Sequence, residues 1–297
     1  MQKLFSDQYF ARQSRSEIKP KAMVAFLLAA CVLWGIHIAA EVAFPSLHWV
    51  PYLIRTAITL VASLLLLWIS IRLLEQNGFP AEVLGLSPSR HTLPSVLLGL
   101  LTAVAPLVFM QALLRVFVDF HFTRGPLHAL DVAKESLSYF AGNSLEEWMF
   151  RGFLLLILCR VAGWRTAVAA VALLFGVFHL QGAGLNLDSF RIVISTAIYS
   201  VLFSLSYLLT ESLWTAVTAH VTSNILLHSI FGLDGMGHAL LVPVVSGPRT
   251  RYYDLGFWAL VLGGVVGCCL LYAAVSHRFR SASRGITARQ QSAMDMQ

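Results

Sequence analysis

Two adjacent glutamates and an arginine stand at the head of an apolar run, in the stretch NSLEEWMFRGFLLL at residues 143–156. In a helix, Glu147 and Arg151 are four residues apart and share a face, so each can neutralise the other's charge. Glu146 lies about 100° round the helix from Glu147 and can face a different neighbour. Because a carboxylate withdrawn from water can act as a general base or acid, we predict that Glu146 is catalytic and that Glu147 and Arg151 support it.

The same stretch also has a purely structural interpretation. Ser144 and Glu147 form the Ser-x-x-Glu pattern of a capping box, which predicts that a helix begins at Ser144. A cap and an ion pair together would explain Glu147 without any catalytic role. They leave Glu146 unexplained, so the functional prediction depends mainly on that residue.

Further polar residues interrupt the later apolar runs. His179 stands near the end of one run, and the segment HVTSNILLH places His220, Asn224 and His228 at helical spacing on another. If each run crosses a membrane, Glu146, His179 and Asn224 come to the same depth near one face. We therefore predict a single site, with His228 at its mouth.

The residue types limit the chemistry of this site. A glutamate with a histidine can deprotonate a water, and a histidine with an asparagine can donate hydrogen bonds to an oxyanion, which together suit peptide hydrolysis. Glu146, His179 and His220 are also possible ligands of zinc or another divalent metal, so a metal-dependent reaction stays open. The sequence contains no HExxH motif of a zinc protease.

The composition identifies the elements that must carry these residues. The chain is 57% hydrophobic and 12% charged with a mean hydropathy of +0.72, whereas soluble domains have about 25% charged residues. Apolar runs long enough to cross a bilayer lie near 22–44, 51–74, 94–117, 144–162, 165–182, 191–209, 212–231 and 255–276. In lipid such runs form helices. The predicted fold class is all-α, a polytopic transmembrane helical bundle with about eight spans.

The basic residues predict the orientation of this bundle. Cytoplasmic segments are enriched in lysine and arginine, and the two ends of the chain carry Lys3, Arg12, Arg15, Lys19, Lys21, Arg278, Arg280, Arg284 and Arg289. We predict cytoplasmic basic tails at 1–21 and 278–297 and a transmembrane bundle at 22–277. This orientation favours a site near the external face, but Arg124 and Lys134 in the segment 118–143 keep a cytosolic site open as the alternative. The net charge of +6 is then a topology signal, and no nucleic-acid partner is expected. Cys31, Cys159, Cys268 and Cys269 are predicted to be packing residues.

Three motifs resemble those of a known family, the CAAX prenyl protease type II and bacteriocin-processing (CPBP) intramembrane endopeptidases. They are Glu146-Glu147-x-x-x-Arg151, Phe175-x-x-x-His179 and His220-x-x-x-Asn224. The resemblance covers about residues 136–231, which we predict to be the catalytic core. It implies an integral membrane protease of the bacterial inner membrane, whose partners are the lipid bilayer and a peptide or protein substrate in or at the membrane.

The resemblance also implies roles for the motif residues. Glu146 and His179 would activate the water, His220 and Asn224 would stabilise the oxyanion, and Glu147 and Arg151 would be the supporting pair. Both metal-dependent and metal-free mechanisms have been proposed for the family, so the cofactor stays open. Two other functions also stay open: a proton-coupled transporter, since buried glutamate and histidine form proton relays, and a non-catalytic relative that acts in immunity or as a scaffold.

Overall fold

The structure is a computed structural model that describes residues 19–44, 49–180, 186–233 and 238–294. Most of the predicted N-terminal tail, including Lys3, Arg12 and Arg15, lies outside these residues. So do residues 181 and 182 of the predicted fifth span.

Eight α-helices make up most of the described chain. They are α1 (Pro20–Ala43), α2 (Trp49–Gln76), α3 (Thr92–Phe117), α4 (Ala129–Glu147), α5 (Leu155–Phe178), α6 (Leu187–Thr210), α7 (Leu213–Asn224) and α8 (Arg249–Met294). A π-helix at Trp148–Leu154 joins α4 directly to α5, and a second π-helix at Ile225–Ile230 continues α7. A short 3-10 helix at Ala81–Leu84 lies between α2 and α3.

Six helical segments of the described chain are long and apolar enough to cross a membrane. One of them, Ala129–Phe178, has 50 residues and is interrupted at Gly163, where φ is 79° and ψ is 158°. Splitting this segment at Gly163 and adding α7 with its π-helix gives eight helical stretches, each overlapping one of the predicted runs. The prediction of a polytopic transmembrane helical bundle is confirmed, and the protein is an integral membrane protein.

Contacts at the two ends of the bundle agree with this path of the chain. At one end, the backbone N–H of Lys19 donates to Asn77 Oδ1 at 3.1 Å, and the Arg160 side chain donates to the Asn77 carbonyl. At the other end, Arg55 and Glu41 form an ion pair with an N–O distance of 3.1 Å. We call this second end, where α1 finishes and α2 begins, the site face.

A two-stranded sheet also lies at the site face. Strand β1 (Phe120–Arg124) pairs antiparallel with β2 (Leu241–Val245), with Phe120 opposite Val245 and Arg124 opposite Leu241. The sheet joins the segment that follows α3 to the segment that precedes α8. Residues 118–143, between the predicted third and fourth runs, thus contain β1 and most of α4.

The predicted capping box at Ser144 is wrong. Helix α4 begins at Ala129, where the backbone N–H of His128 donates to Asp131 Oδ2 at 3.2 Å, so Ser144 and Glu147 lie inside the helix. The polar start of α4 forms no apolar run, which is why hydropathy missed it. It is attached to α2 through Tyr52, whose hydroxyl donates to the Lys134 carbonyl and accepts from the Ser138 N–H at 3.1 Å.

Two glycines allow the helices that carry the site to approach each other closely. A Cβ at Gly99 of α3 would lie 2.6 Å from the Thr215 carbonyl oxygen of α7, and a Cβ at Gly176 of α5 would lie 2.8 Å from the Val193 carbonyl oxygen of α6. Small residues at such contacts are typical of helix packing in membranes. They bring α3 close to α7 and α5 close to α6.

Candidate active site

Glu146 lies in the last turn of α4, immediately before a π-helix, and is 9% exposed. Its Oε2 is 3.7 Å from His179 Nε2 and 4.0 Å from His220 Nε2. Both separations exceed a direct hydrogen bond, and Oε2 has no hydrogen-bond partner among the residues that the structure describes. The carboxylate oxygen therefore lies near both ring nitrogens without a direct hydrogen bond to either.

His179 ends α5 and is oriented by its own helix. Its Nδ1 lies 2.8 Å from the carbonyl oxygen of Phe175. Because a carbonyl oxygen only accepts, Nδ1 carries the proton, and in the neutral ring Nε2 is an acceptor directed at Glu146. The imidazole also packs on the Phe175 ring with a centroid distance of 4.4 Å. The tautomer that leaves Nε2 available as a base is thus fixed by the Phe-x-x-x-His spacing.

His220, on α7, lies between the two glutamates. Its Nδ1 is 2.9 Å from Glu147 Oε1, and its ring stacks on Phe203 of α6 at 4.9 Å. Glu147 is fully buried, and the same oxygen accepts a hydrogen bond from Arg151 at 3.1 Å. Nδ1 of His220 is therefore the donor to Glu147, and Nε2 faces Glu146.

Arg151 is fully buried and held on several sides by α6. Its guanidinium donates to Ser204 Oγ at 3.3 Å and to the Ser200 carbonyl at 3.1 Å. It also lies 4.6 Å from the centroid of the Phe175 ring. The sequence analysis missed Ser200 and Ser204, although two serines four residues apart in an apolar helix are a recognisable signal of a polar partner.

Asn224 is the last residue of α7 and is bonded to a residue that the sequence analysis also missed. Its Nδ2 donates to Asn143 Oδ1 at 3.2 Å. Asn143 lies in α4, three residues before Glu146 and so on the same side of the helix, and is 5% exposed. The spacing of Asn143 and Glu146 was the available signal.

A cavity of about 320 Å³ connects these groups to the site face. Helices α1 and α2 supply polar residues to it that carry no motif and were not predicted. The lining consists of His37, Glu41, Tyr52, Arg55, Glu135, Ser138, Tyr139, Gly142, Asn143, Glu146 and Asn224. Its polar walls can accommodate a peptide backbone beside Glu146.

His228 does not line this cavity, contrary to the prediction that it stands at the mouth of the site. The π-helix at Ile225–Ile230 has more residues per turn than an α-helix, so His228 leaves the face that His220 and Asn224 share. It lines a separate cavity of about 140 Å³ that also includes Met110 and Tyr252.

The site residues do not form a fitted metal centre. Two imidazole nitrogens and a carboxylate oxygen are suitable zinc donors, but ligand atoms on a tetrahedral zinc with bonds of 2.0–2.1 Å lie about 3.3 Å apart. The corresponding distances from Glu146 to His179 and His220 are 3.7 and 4.0 Å. Within the described parts of the chain, no group of three or more His, Cys, Asp or Glu residues is arranged to hold a metal ion.

Comparison with known proteins places a family domain on this part of the chain. Residues 136–226 match the model of the family described as type II CAAX prenyl endopeptidase Rce1-like. No curated protein matches the sequence. The family match spans just under a third of the chain and includes all three motifs, which confirms the resemblance that they predicted. The matched family is one of proteases.

Proposed function

We propose that this protein is an intramembrane endopeptidase that hydrolyses a peptide bond in a membrane-associated or secreted protein or peptide. The observation that carries this proposal is the position of Glu146 Oε2, which is buried, makes no hydrogen bond to the described residues, and lies within 4.0 Å of Nε2 in both His179 and His220. A water held there has a base beside it and lies next to a cavity large enough for part of a peptide chain.

In the proposed reaction, Glu146 and His179 activate the water. The water donates one hydrogen to Glu146 Oε2 and the other to His179 Nε2, and its oxygen attacks the carbonyl carbon as Glu146 takes the proton. When the tetrahedral intermediate collapses, the C–N bond breaks and the leaving nitrogen receives that proton. The second water proton leaves the new carboxyl group through His179 Nε2 and passes to the amine, so the products are a carboxylate and an ammonium group and both water protons are accounted for.

His220 and Asn224 stabilise the oxyanion. Asn224 donates through the second hydrogen of its Nδ2 group. His220 keeps one proton on Nδ1, bonded to Glu147, so its Nε2 donates only when the ring is doubly protonated. The Glu147 carboxylate then balances the imidazolium charge. This assigns Glu147 and Arg151 the supporting role, because Arg151 holds the carboxylate that in turn orients His220.

We further propose that the protein lies in a bacterial inner membrane with both termini in the cytoplasm and the site face external. The end of the bundle opposite the site face carries Lys19, Arg160 and Arg278, and cytoplasmic segments are enriched in such residues. The tails at 1–21 and 278–297 would flank the membrane bundle at 22–277. A substrate would then be cleaved near the outer surface of the membrane.

The decisive experiment compares cells that express the wild type with cells that express Glu146→Ala. Membrane and secreted peptides are measured by mass spectrometry, and we expect fragments that only the wild type produces. Glu75→Gln, at an exposed glutamate in the last turn of α2, is the matched control and should give the wild-type pattern. Identical fragments from wild type and Glu146→Ala would overturn the proposal.

A further inference from the structure

The side-chain amide of Asn143 forms a hydrogen bond through its oxygen, whereas its nitrogen forms none with the described residues. Its Oδ1 accepts from Asn224 Nδ2, while its own Nδ2 has no hydrogen-bond partner among the described residues. The residue is 5% exposed, so little water reaches it. A buried N–H donor without a partner is costly to keep, and in a native structure it calls for an explanation.

The cavity that Asn143 lines is also lined by a residue with an unmatched acceptor. Asn143 and Glu146 line the same cavity, and Glu146 Oε2 also has no partner within the part of the chain that the structure describes. A peptide group attacked by water has the complementary pattern, because its carbonyl oxygen accepts hydrogen bonds and the water donates them. One bound substrate with its water would satisfy both groups.

An additional hydrogen-bond donor at this position would stabilise the oxyanion. His220 donates from Nε2 only in its doubly protonated state, since Nδ1 already bonds to Glu147. An amide N–H donates whatever the protonation state of the site. Asn224 supplies one such donor, and Asn143, bonded to it, presents a second from a different helix.

Building on the proposed function, we propose that Asn143 is a further catalytic residue that donates a hydrogen bond from Nδ2 to the substrate carbonyl oxygen. Together with Asn224 it forms a pair of linked amides that binds the oxyanion. The bond between the two side chains fixes the orientation of both, so that neither amide has to be ordered at the moment of reaction.

Two substitutions separate this role from a purely positioning one. Asn143→Asp has nearly the same shape and keeps an acceptor for Asn224, but it removes the donor. Asn143→Ala removes both the donor and the acceptor without adding a charge. If Asn143 is a hydrogen-bond donor in catalysis, both variants cleave slowly. If it only positions Asn224, Asn143→Asp keeps its activity. If the added charge causes the loss, Asn143→Ala keeps its activity.

The assay uses the full chain purified in detergent and the internally quenched peptide that the wild type cleaves fastest from a random-sequence library. We expect kcat to fall about 10²–10³-fold in both variants, with KM changed far less, as for loss of one oxyanion donor. Ser144→Ala is the matched control, since Ser144 is buried next to Asn143 and its hydroxyl makes no hydrogen bond to the described residues. It should keep wild-type kcat. Thermal unfolding of each variant, compared with the wild type, checks that the fold is retained.

Each contrary outcome has a distinct meaning. Wild-type kcat in either Asn143 variant overturns the donor role, even if Glu146→Ala is inactive and the proposed function stands. Cleavage by Glu146→Ala at the wild-type rate overturns the proposed function itself, and so does a wild type that cleaves no peptide of the library. The role of Asn143 falls with it in both cases.

Discussion

Removing Arg151 should destabilise the protein far more than neutralising Glu146, although the two residues are one turn apart. Arg151 and Glu147 are both 0% exposed, and Arg151 donates to Glu147, to Ser204 and to the carbonyl of Ser200. In Arg151→Ala, the buried Glu147 carboxylate would keep only His220 as a partner. Breaking a buried ion pair from one side costs about 3–5 kcal/mol, and we expect a loss of that size in the free energy of unfolding.

Glu146→Gln should behave differently because Glu146 has no close ion-pair partner. Its nearest charged or ionisable neighbours are the histidine nitrogens at 3.7 and 4.0 Å. Replacing the carboxylate by an amide of the same shape should change the free energy of unfolding by less than about 1 kcal/mol. The same substitution should abolish most of the activity, so stability and activity respond to different glutamates.

A double-mutant cycle makes the reasoning quantitative. Unfolding in mixed micelles would be measured for Arg151→Met, Glu147→Gln and the double variant. Removing both charges leaves no uncompensated ion, so the double variant should be more stable than Arg151→Met, by about 2 kcal/mol or more. Equal destabilisation by Glu146→Gln and Arg151→Ala would refute this account and would mean that structural and catalytic roles have been exchanged.

Three further results are expected. Because Glu146 and His179 act on one water, their double alanine variant should be scarcely slower than either single variant, each of which should lose about 10²–10⁴-fold in peptide cleavage; additive losses would contradict a shared water. A reporter fused after residue 285 should be cytoplasmic and one inserted near Gly125 external, and the reverse result would place the site face in the cytosol. A chelator should leave cleavage unchanged, whereas a loss of activity that zinc restores would make Glu146, His179 and His220 metal ligands.

The sequence predicted the helical elements where composition alone determines them. Apolar runs of sufficient length must be helices in lipid, and each predicted run coincides with one. It failed at α4, where the first half of the helix is too polar to give a hydropathy signal and is held by Tyr52 from α2. It also failed at His228, because a π-helix changes which residues share a face and hydrophobic spacing does not reveal where one occurs.

In the site as well, the sequence predicted features that depend on single helices and missed features that depend on which helices are neighbours. The approach of Glu146 and His179 could be inferred from the depth of each residue along its own span. The partners of Arg151 on α6 and the contribution of α1 and α2 to the cavity could not, because they depend on which helices are neighbours. Asn143 is an intermediate case, since its spacing to Glu146 was visible but its bond to Asn224 was not.

The two adjacent glutamates have different roles because each one faces different neighbours. Successive residues of a helix point about 100° apart, so Glu147 faces a different side from Glu146, and its Oε1 pairs with Arg151 of the π-helix and with His220 of α7. Glu146 turns toward the cavity and is left with an unmatched oxygen. An arginine that paired with Glu146 would stabilise its ionised form and weaken it as a base. The pairing of Arg151 with Glu147 thus allows a buried charge to orient His220 while Glu146 stays available to the water.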